Sequence, residues 1–258
     1  MRVAAIQSDL EWEDHETNRR RLADRMWAAA AAGAHLVVLP EMFPTGFSMN
    51  AEEIAEDHDG ESVQWLADQA STHGLHVCGS ISMRSPGYDK PTNTLVVAGP
   101  DGEIGRYAKI HPFSFAGETE HYSPGRDFLT VPITTAGGEV VRTTFFVCYD
   151  LRFADEFWAT AADTDLYVVV ANWPRARRRH WQTLLTARAI ENQAYVAACN
   201  RVGTDGNDIE YSGDSMVIDP LGYALATGAM THTLVLADVD PAEVADVRTR
   251  FPFMADRR

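Results

Sequence analysis

Three side chains of different chemistry stand where apolar runs end. Arg142-Thr-Thr-Phe-Phe-Val-Cys148-Tyr-Asp-Leu-Arg-Phe153 is an apolar strand that stops on a thiol and turns towards a helix. At such a corner unpaired backbone N–H groups can face a developing oxyanion, Asp150 is placed to cap the helix, and the local field favours thiolate. A nucleophilic thiol also needs a base and an oxyanion partner. Glu41, in Pro40-Glu41-Met-Phe-Pro44, sits where Leu36-Val-Val-Leu39 emerges. A carboxylate so close behind apolar sequence is costly unless it is paired or used. Lys109 ends the run Glu103 to Lys109 in the same way. Glu, Lys and Cys thus each terminate a predicted strand, as side chains converging on one edge of a sheet would.

Other assignments of these residue types are weaker. Cys78 and Cys199 fall inside strands and read as small buried hydrophobes. A Cys–His hydrolase pairing Cys148 with His111, His121 or His180 leaves Glu41 and Lys109 at their strand ends unexplained. His73-Gly-Leu-His76 straddles a helix stop and a strand start, so it cannot present two ligands on one helical face and no metal site is expected.

The elements that must position these groups alternate along the chain. Val3 to Gln7 is a buried strand, Thr17 to Ala32 a helix stopped by Gly33, and Leu36 to Leu39 a second strand, so the chain opens as βαβ. A helix from Ser62 to Thr72 places Val63, Leu66, Ala67 and Ala70 on one face, and Gly74 leads into the strand Leu75 to Ile81. Gly99-Pro-Asp-Gly102 is a hairpin turn between the strands Asn93 to Ala98 and Glu103 to Lys109. The second half repeats the theme with strands Val140 to Val147, Leu166 to Ala171 and Tyr195 to Asn200, and helices near Phe153 to Ala162 and Trp181 to Asn192. Strands Ser215 to Asp219, Tyr223 to Thr227 and Thr233 to Val239 close the core. Strands are too frequent relative to helices for an alternating barrel, which predicts sheets packed on each other with helices outside. No linker or repeat divides the chain, so residues 1–258 read as one domain.

Composition narrows the partners. Hydrophobic residues make up 45% and charged residues 23%, ordinary values for a packed protein. A net charge of −15 repels phosphate backbones and anionic lipid, so neither nucleic acid nor a membrane surface is an expected partner. Three cysteines without framework spacing, no signal-like N-terminus and no apolar run long enough to span a bilayer predict a cytoplasmic protein.

The sequence resembles the nitrilase superfamily of carbon–nitrogen hydrolases. Leu39-Pro-Glu41, Tyr107-Ala-Lys109-Ile-His111 and Val147-Cys148-Tyr-Asp150-Leu-Arg152-Phe153 match its three motifs in order. The likeness continues through Ala171-Asn172-Trp173-Pro174, Ala187-Arg188-Ala-Ile-Glu191-Asn192 and Asn200-Arg201-Val-Gly203. The resemblance implies a four-layer α-β-β-α sandwich of the α/β class, usually paired into a homodimer, here through the helix Phe153 to Ala162 and the stretch Glu243 to Phe253. It also implies a triad in which Glu41 is the base, Cys148 the nucleophile, and Lys109 with the backbone N–H of Tyr149 the oxyanion donors. Neither a metal nor an organic cofactor is required. A second glutamate of the family falls on Glu118 by counting back from Ser123-Pro-Gly125, with Glu120 the alternative, since both would face the same side of an extended segment.

Within the superfamily, Cys148-Tyr-Asp-Leu-Arg-Phe153, Asn172-Trp173-Pro174, His180-Trp-Gln-Thr-Leu-Leu-Thr-Ala-Arg188 and Glu118-Thr-Glu-His-Tyr122 look most like the ω-amidase branch. Ala154 stands where relatives of that branch often have proline, and Pro112 where many have an apolar residue. The branch implies a small-molecule substrate such as 2-oxoglutaramate, with Asn172 and Trp173 in the substrate site. Aliphatic amides, N-carbamoyl amino acids, deaminated glutathione, nitriles and a catalytically silent binding protein are the other readings. The implied substrate keeps a free carboxylate, so an acidic protein needs a local cation. Arg175-Ala-Arg177-Arg178-Arg179-His180 is the dense basic run, and Arg175 or a neighbour is expected to bind that carboxylate. Arg152 is a further candidate, with a structural salt bridge as its simpler use.

Overall fold

Alternate residues of the first strand face two different cores. In the computed structural model, which describes residues 1–135 and 137–257, strand β1 (Arg2–Gln7) sends Val3 and Ala5 into a core shared with a second sheet. Ala4 and Ile6 point the other way, onto Leu22 and Met26 of the helix His15–Ala31 and Leu66 of the helix Glu61–His73. This period-two switch between a sheet-facing and a helix-facing side is what a strand buried on both faces requires. Asp14 caps the first helix through the Thr17 amide, and Gly74 ends the second in a left-handed conformation.

Around β1 lie β2 (Leu36–Val38), β3 (His76–Met83), β4 (Thr92–Gly99) and β5 (Gly102–Ala108). Strands β1, β2 and β3 run parallel, and β4 and β5 follow as antiparallel hairpins, so β5 again points the same way as β2. The second sheet is built from β6 (Thr130–Thr134), β7 (Val140–Val147), β8 (Leu166–Ala171), β9 (Tyr195–Asn200), β10 (Val202–Thr204), β11 (Glu210–Ile218) and β12 (Ala224–Ala229). Its order is β10-β11-β9-β8-β7-β6 with β12 on β11, and β7, β8 and β9 are parallel. The last strand, β13 (Thr233–Asp238), returns to the first sheet antiparallel to β1. Helices Ala154–Thr160 and Arg178–Asn192 cover the second sheet, completing helix, sheet, sheet and helix layers.

Several local expectations are corrected. The edge strand β6 is not foreseen, because Pro132 interrupts its pattern; proline is tolerated there since one side of the strand is unpaired. Strand β11 starts five residues before Ser215, its onset hidden by Gly213 and Asp214, which both take positive φ at a register shift. The helix expected near Trp181 begins at Arg178, so part of the basic run is its first turn. Asp150 caps the short turn Cys148–Arg152, where its carboxylate takes the Val147 amide, and not the helix Ala154–Thr160; the same carboxylate also reaches back into the interior to take the His111 amide. Among the described residues, no helix is long and apolar enough to cross a membrane.

Phe146, fully buried, stacks on Phe157 at 4.1 Å and meets the edge of Tyr107 at 5.8 Å, joining β7 to the first sheet and to the covering helix. Phe146→Ala is expected to cost about 3–5 kcal/mol of unfolding free energy. A denaturant titration checks this, and a loss below about 1 kcal/mol would show that the layers do not depend on that ring.

Candidate active site

Parallel strands end at one edge, and the polar residues that follow them collect there. Glu41 lies just past β2, Lys109 one residue past β5, Cys148 directly after β7 and Asn172 directly after β8. Glu41 is fully buried, and both of its carboxylate oxygens accept hydrogen bonds. Asn172 donates its backbone N–H to Glu41 Oε2 at 2.8 Å and its side-chain amide to the Glu41 carbonyl at 2.6 Å, so a residue of the second sheet fixes a carboxylate of the first. Asn93, at the start of β4, donates to Glu41 Oε1 at 2.8 Å.

The Lys109 ammonium, also buried, stands 3.0 Å from Glu41 Oε1 and 2.8 Å from Glu118 Oε2. Burial alone would depress its pKa, but the two carboxylates more than offset that, and the ammonium is held well above its ordinary value. Burial holds Glu118 above the usual carboxylate range, while Lys109 pulls it back. Glu118 also accepts from the Phe113 amide and, at 3.3 Å, from Asn93, which thereby bridges both carboxylates. The segment carrying it is a helical turn, Glu118–His121, rather than extended chain, so Glu118 and Glu120 do not share a face: Glu118 is buried and Glu120 exposed. Over the backbone of Lys109 runs Ser123-Pro124-Gly125. The Gly125 amide donates to the Lys109 carbonyl at 2.8 Å, and a Cβ at Gly125 would fall 2.0 Å from the Ala108 carbonyl oxygen.

Cys148 opens the short helical turn Cys148–Arg152 with φ of 47°, an uncommon left-handed conformation for a side-chain-bearing residue. Its Sγ lies 4.0 Å from the Asn172 carbonyl oxygen, and the residue is part-exposed and lines a cleft, unlike the fully buried Cys78 and Cys199. Burial, the charge of Glu41 and a hydrogen bond with it push the thiol pKa well up, against the pull of Lys109. These surroundings favour the neutral thiol, against the thiolate expected from the corner position. Tyr149 follows in the first turn, where backbone N–H groups have no intrahelical partner. Asp150, fully buried, accepts from the Val147 amide at 3.0 Å, the His111 amide at 2.9 Å and the Tyr107 hydroxyl at 2.8 Å. Burial lifts its carboxyl to about 6, against Lys109 and these donors.

Cys148 faces a cleft of about 480 Å³, mouth included, walled by Phe113, Tyr149, Trp173 and Tyr211 among others. Two cations line it. The Arg152 guanidinium lies 4.8 Å from the Trp173 ring centre, and that of Arg177 lies 5.4 Å from Phe113. Neither has a carboxylate partner among the described residues, whereas Arg175, exposed and outside the lining, pairs with Glu210 at 3.1 Å. Asn172 and Trp173 both line the cleft, and Asn200 holds the Trp173 backbone from both sides. His111 is occupied by Glu156 at 2.8 Å and stacks on Phe153, and no histidine lines the cleft among the described residues. Arg177 is one of the neighbours of Arg175 that the sequence offers, whereas Asn93 is not among the residues it points to. A polar side chain opening an otherwise apolar strand at the same sheet edge is the signal that points to Asn93.

Removing the cation should expose the cost of the two carboxylates. Lys109→Met is expected to lose about 3–5 kcal/mol of stability at pH 8. Without the ammonium to pull it back, burial holds the folded-state pKa of Glu118 still further above its unfolded value, so the variant is least stable at high pH. The loss should shrink as pH falls towards 5 and Glu118 takes up a proton. Urea titrations at the two pH values check the sign; a loss independent of pH would contradict this account of the cluster.

The comparisons with known proteins fit this geometry. The family described as Carbon-nitrogen hydrolase matches residues 2–249. Omega-amidase YafV of Yersinia enterocolitica is 40% identical over 99% of this chain and 96% of its own length. The 2-oxoglutaramate amidase of Bacillus subtilis is 35% identical over 99% and 97%. Among solved structures, XC1258 from Xanthomonas campestris, a CN-hydrolase superfamily protein with an arsenic adduct in its active site, superposes with a TM-score of 0.93 at 39% identity, covering 100% of this chain and 97% of that one. Two stacked sheets between helices, a thiol and two buried carboxylates on one lysine, and a match that runs almost end to end lead to one conclusion: the chain belongs to the carbon–nitrogen hydrolase family.

Proposed function

We propose that this chain, a single hydrolase domain over residues 1–258, is an amidase that releases ammonia from the ω-amide of a small dicarboxylic monoamide such as 2-oxoglutaramate. The observation that carries the reading is the juxtaposition of Cys148 with the Glu41–Lys109–Glu118 cluster in a cleft whose walls hold two cations with no carboxylate partner among the described residues. The names of the relatives, omega-amidase and 2-oxoglutaramate amidase, support the substrate class.

In this reading Glu41 takes the Cys148 proton as Sγ bonds to the amide carbon, and the carbonyl electron pair moves onto oxygen. Lys109 Nζ and the Tyr149 N–H hold the oxyanion; the raised pKa of Lys109 lets it donate a hydrogen bond without losing its proton. Glu118 keeps the ammonium aimed. As the C–N bond breaks, Glu41 returns the proton to nitrogen and ammonia leaves a Cys148 thioester. Water then attacks the same carbon, passing a proton to Glu41, and the acid departs as the C–S bond breaks and the thiol is reprotonated. Arg177 and Arg152, rather than the paired Arg175, are the cations we assign to the substrate's free carboxylate.

A second copy of the chain fits the apolar surface formed by Trp158, Ile190 and Leu221 with the C-terminal Phe251 and Phe253, all at least 40% exposed. Three cysteines without a disulfide agree with a cytoplasmic location. Trp158→Glu is expected to shift a dimer to monomer in sedimentation; a wild-type monomer at micromolar concentration would remove this part of the proposal.

The deciding experiment is an ammonia-release screen over 2-oxoglutaramate, succinamate, an N-carbamoyl amino acid and a simple nitrile. Turnover of the first two is expected, and Cys148→Ser and Glu41→Gln should each lower kcat by roughly 1,000-fold or more. Arg177→Gln should raise KM for 2-oxoglutaramate about ten-fold or more while leaving a neutral amide unaffected. If 2-oxoglutaramate and succinamate are inert while another class reacts, the substrate assignment is wrong.

A further inference from the structure

The two oxyanion donors assigned above come from different sheets: Lys109 follows β5 of the first, and the Tyr149 N–H follows β7 of the second. Something must hold those strand ends in register. Asp150 touches both. Its Oδ1 takes the His111 amide and its Oδ2 takes the Tyr107 hydroxyl, two residues to either side of Lys109. The same Oδ2 takes the amide of Val147, immediately before Cys148. One buried carboxylate thus spans the gap between the lysine segment and the nucleophile turn without lining the cleft.

We propose that Asp150 is a positioning residue for the hydrolysis: it clasps the backbone around Lys109 to the turn that begins at Cys148, and so sets the spacing of the two oxyanion donors. The inference rests on the amidase reading above. The choice of residue follows from the donor count. Three donors converge, and an ionised carboxylate is acceptor-only on both oxygens, whereas an asparagine must turn an N–H₂ towards at least one of them. The clasp also helps to over-determine a conformation that is unfavourable by itself. Cys148 sits at φ of 47°, and the bond from the Val147 amide to Asp150 closes the turn around it.

The test compares the intact wild-type protein with Asp150→Asn and Tyr107→Phe, measuring kcat and KM for 2-oxoglutaramate and the rate at which iodoacetamide labels Cys148. Cys78 and Cys199 are fully buried, so the mass gain of folded protein reports the third thiol. A displacement of about 1 Å between reacting groups is worth roughly 100-fold in rate. Asp150→Asn is therefore expected to lower kcat by roughly 30- to 100-fold with KM within about three-fold, and to slow labelling at least about five-fold. Tyr107→Phe, which keeps the carboxylate and removes one donor, should lower kcat by about three- to ten-fold at unchanged KM. A folded Asp150→Asn protein with kcat and labelling rate within about two-fold of wild type would overturn the proposal. So would a loss of kcat that only tracks the unfolded fraction. Should Asp150→Asn fail to fold, Tyr107→Phe decides alone, and wild-type behaviour in it overturns the clasp. If the wild type releases no ammonia from any amide, the substrate reading has failed and the labelling rates still decide the role of Asp150.

Discussion

One ammonium group between two carboxylates, sealed from water, is the interaction around which this protein is arranged. Lys109 meets Glu41 at 3.0 Å and Glu118 at 2.8 Å with about 1% of its side chain exposed. Such a cluster is expensive to bury and tolerable only when every charge has close partners. The demands it makes are visible in the neighbouring residues. Asn93 serves both carboxylates, Asn172 serves Glu41 through backbone and side chain, and the Phe113 amide serves Glu118. Each of those donors arrives on a separate element, so the cluster constrains where β4, β8 and the loop before Glu118–His121 can lie.

The stacked sheets solve a geometric problem set by that cluster. The carboxylate and the lysine belong to one sheet and the thiol to the other, yet all must meet within a few ångströms. Parallel strands with a common direction put their ends on one edge, and short polar bridges across the interface hold the edges together. The apolar core between the sheets sets their separation, and the polar rim sets their registry. A protein with net charge −15 thereby concentrates positive charge in one cleft: Lys109 is neutralised within the cluster, while Arg152 and Arg177 remain on aromatic faces.

What the sequence made legible was mostly what lies along the chain. Strands β7, β8 and β9 fall on the expected residues, because uninterrupted apolar runs with abrupt polar ends leave little choice of register. Glu41, Lys109 and Cys148 were recognisable as strand ends, and the common strand direction brings them together. What depends on partners distant in sequence was not legible. The basic run looked like one uniform patch, but Glu210 and Asp214 on β11 take up Arg175 and Arg178 and leave Arg177 facing the cleft. Asp150 was legible as a cap of its own turn, but two of its three donors, Tyr107 and His111, lie about forty residues away. A four-residue helical turn has no periodicity to read, and so the separation of Glu118 from Glu120 appears only in three dimensions.

The passage of Gly125 over the lysine segment carries a consequence of a different kind. With the Ala108 carbonyl oxygen 2.0 Å from where a Cβ would sit, the loop and the strand end are in backbone-to-backbone contact. That leaves no adjustable side chain between them, so the clearance works like a machined shim: any added carbon must be absorbed by moving the lysine segment itself. At Gly125 itself, tolerance is therefore governed by thickness. A chain under selection could not exchange its smallest residue at this one position without retuning an ion pair whose side chains that residue never touches.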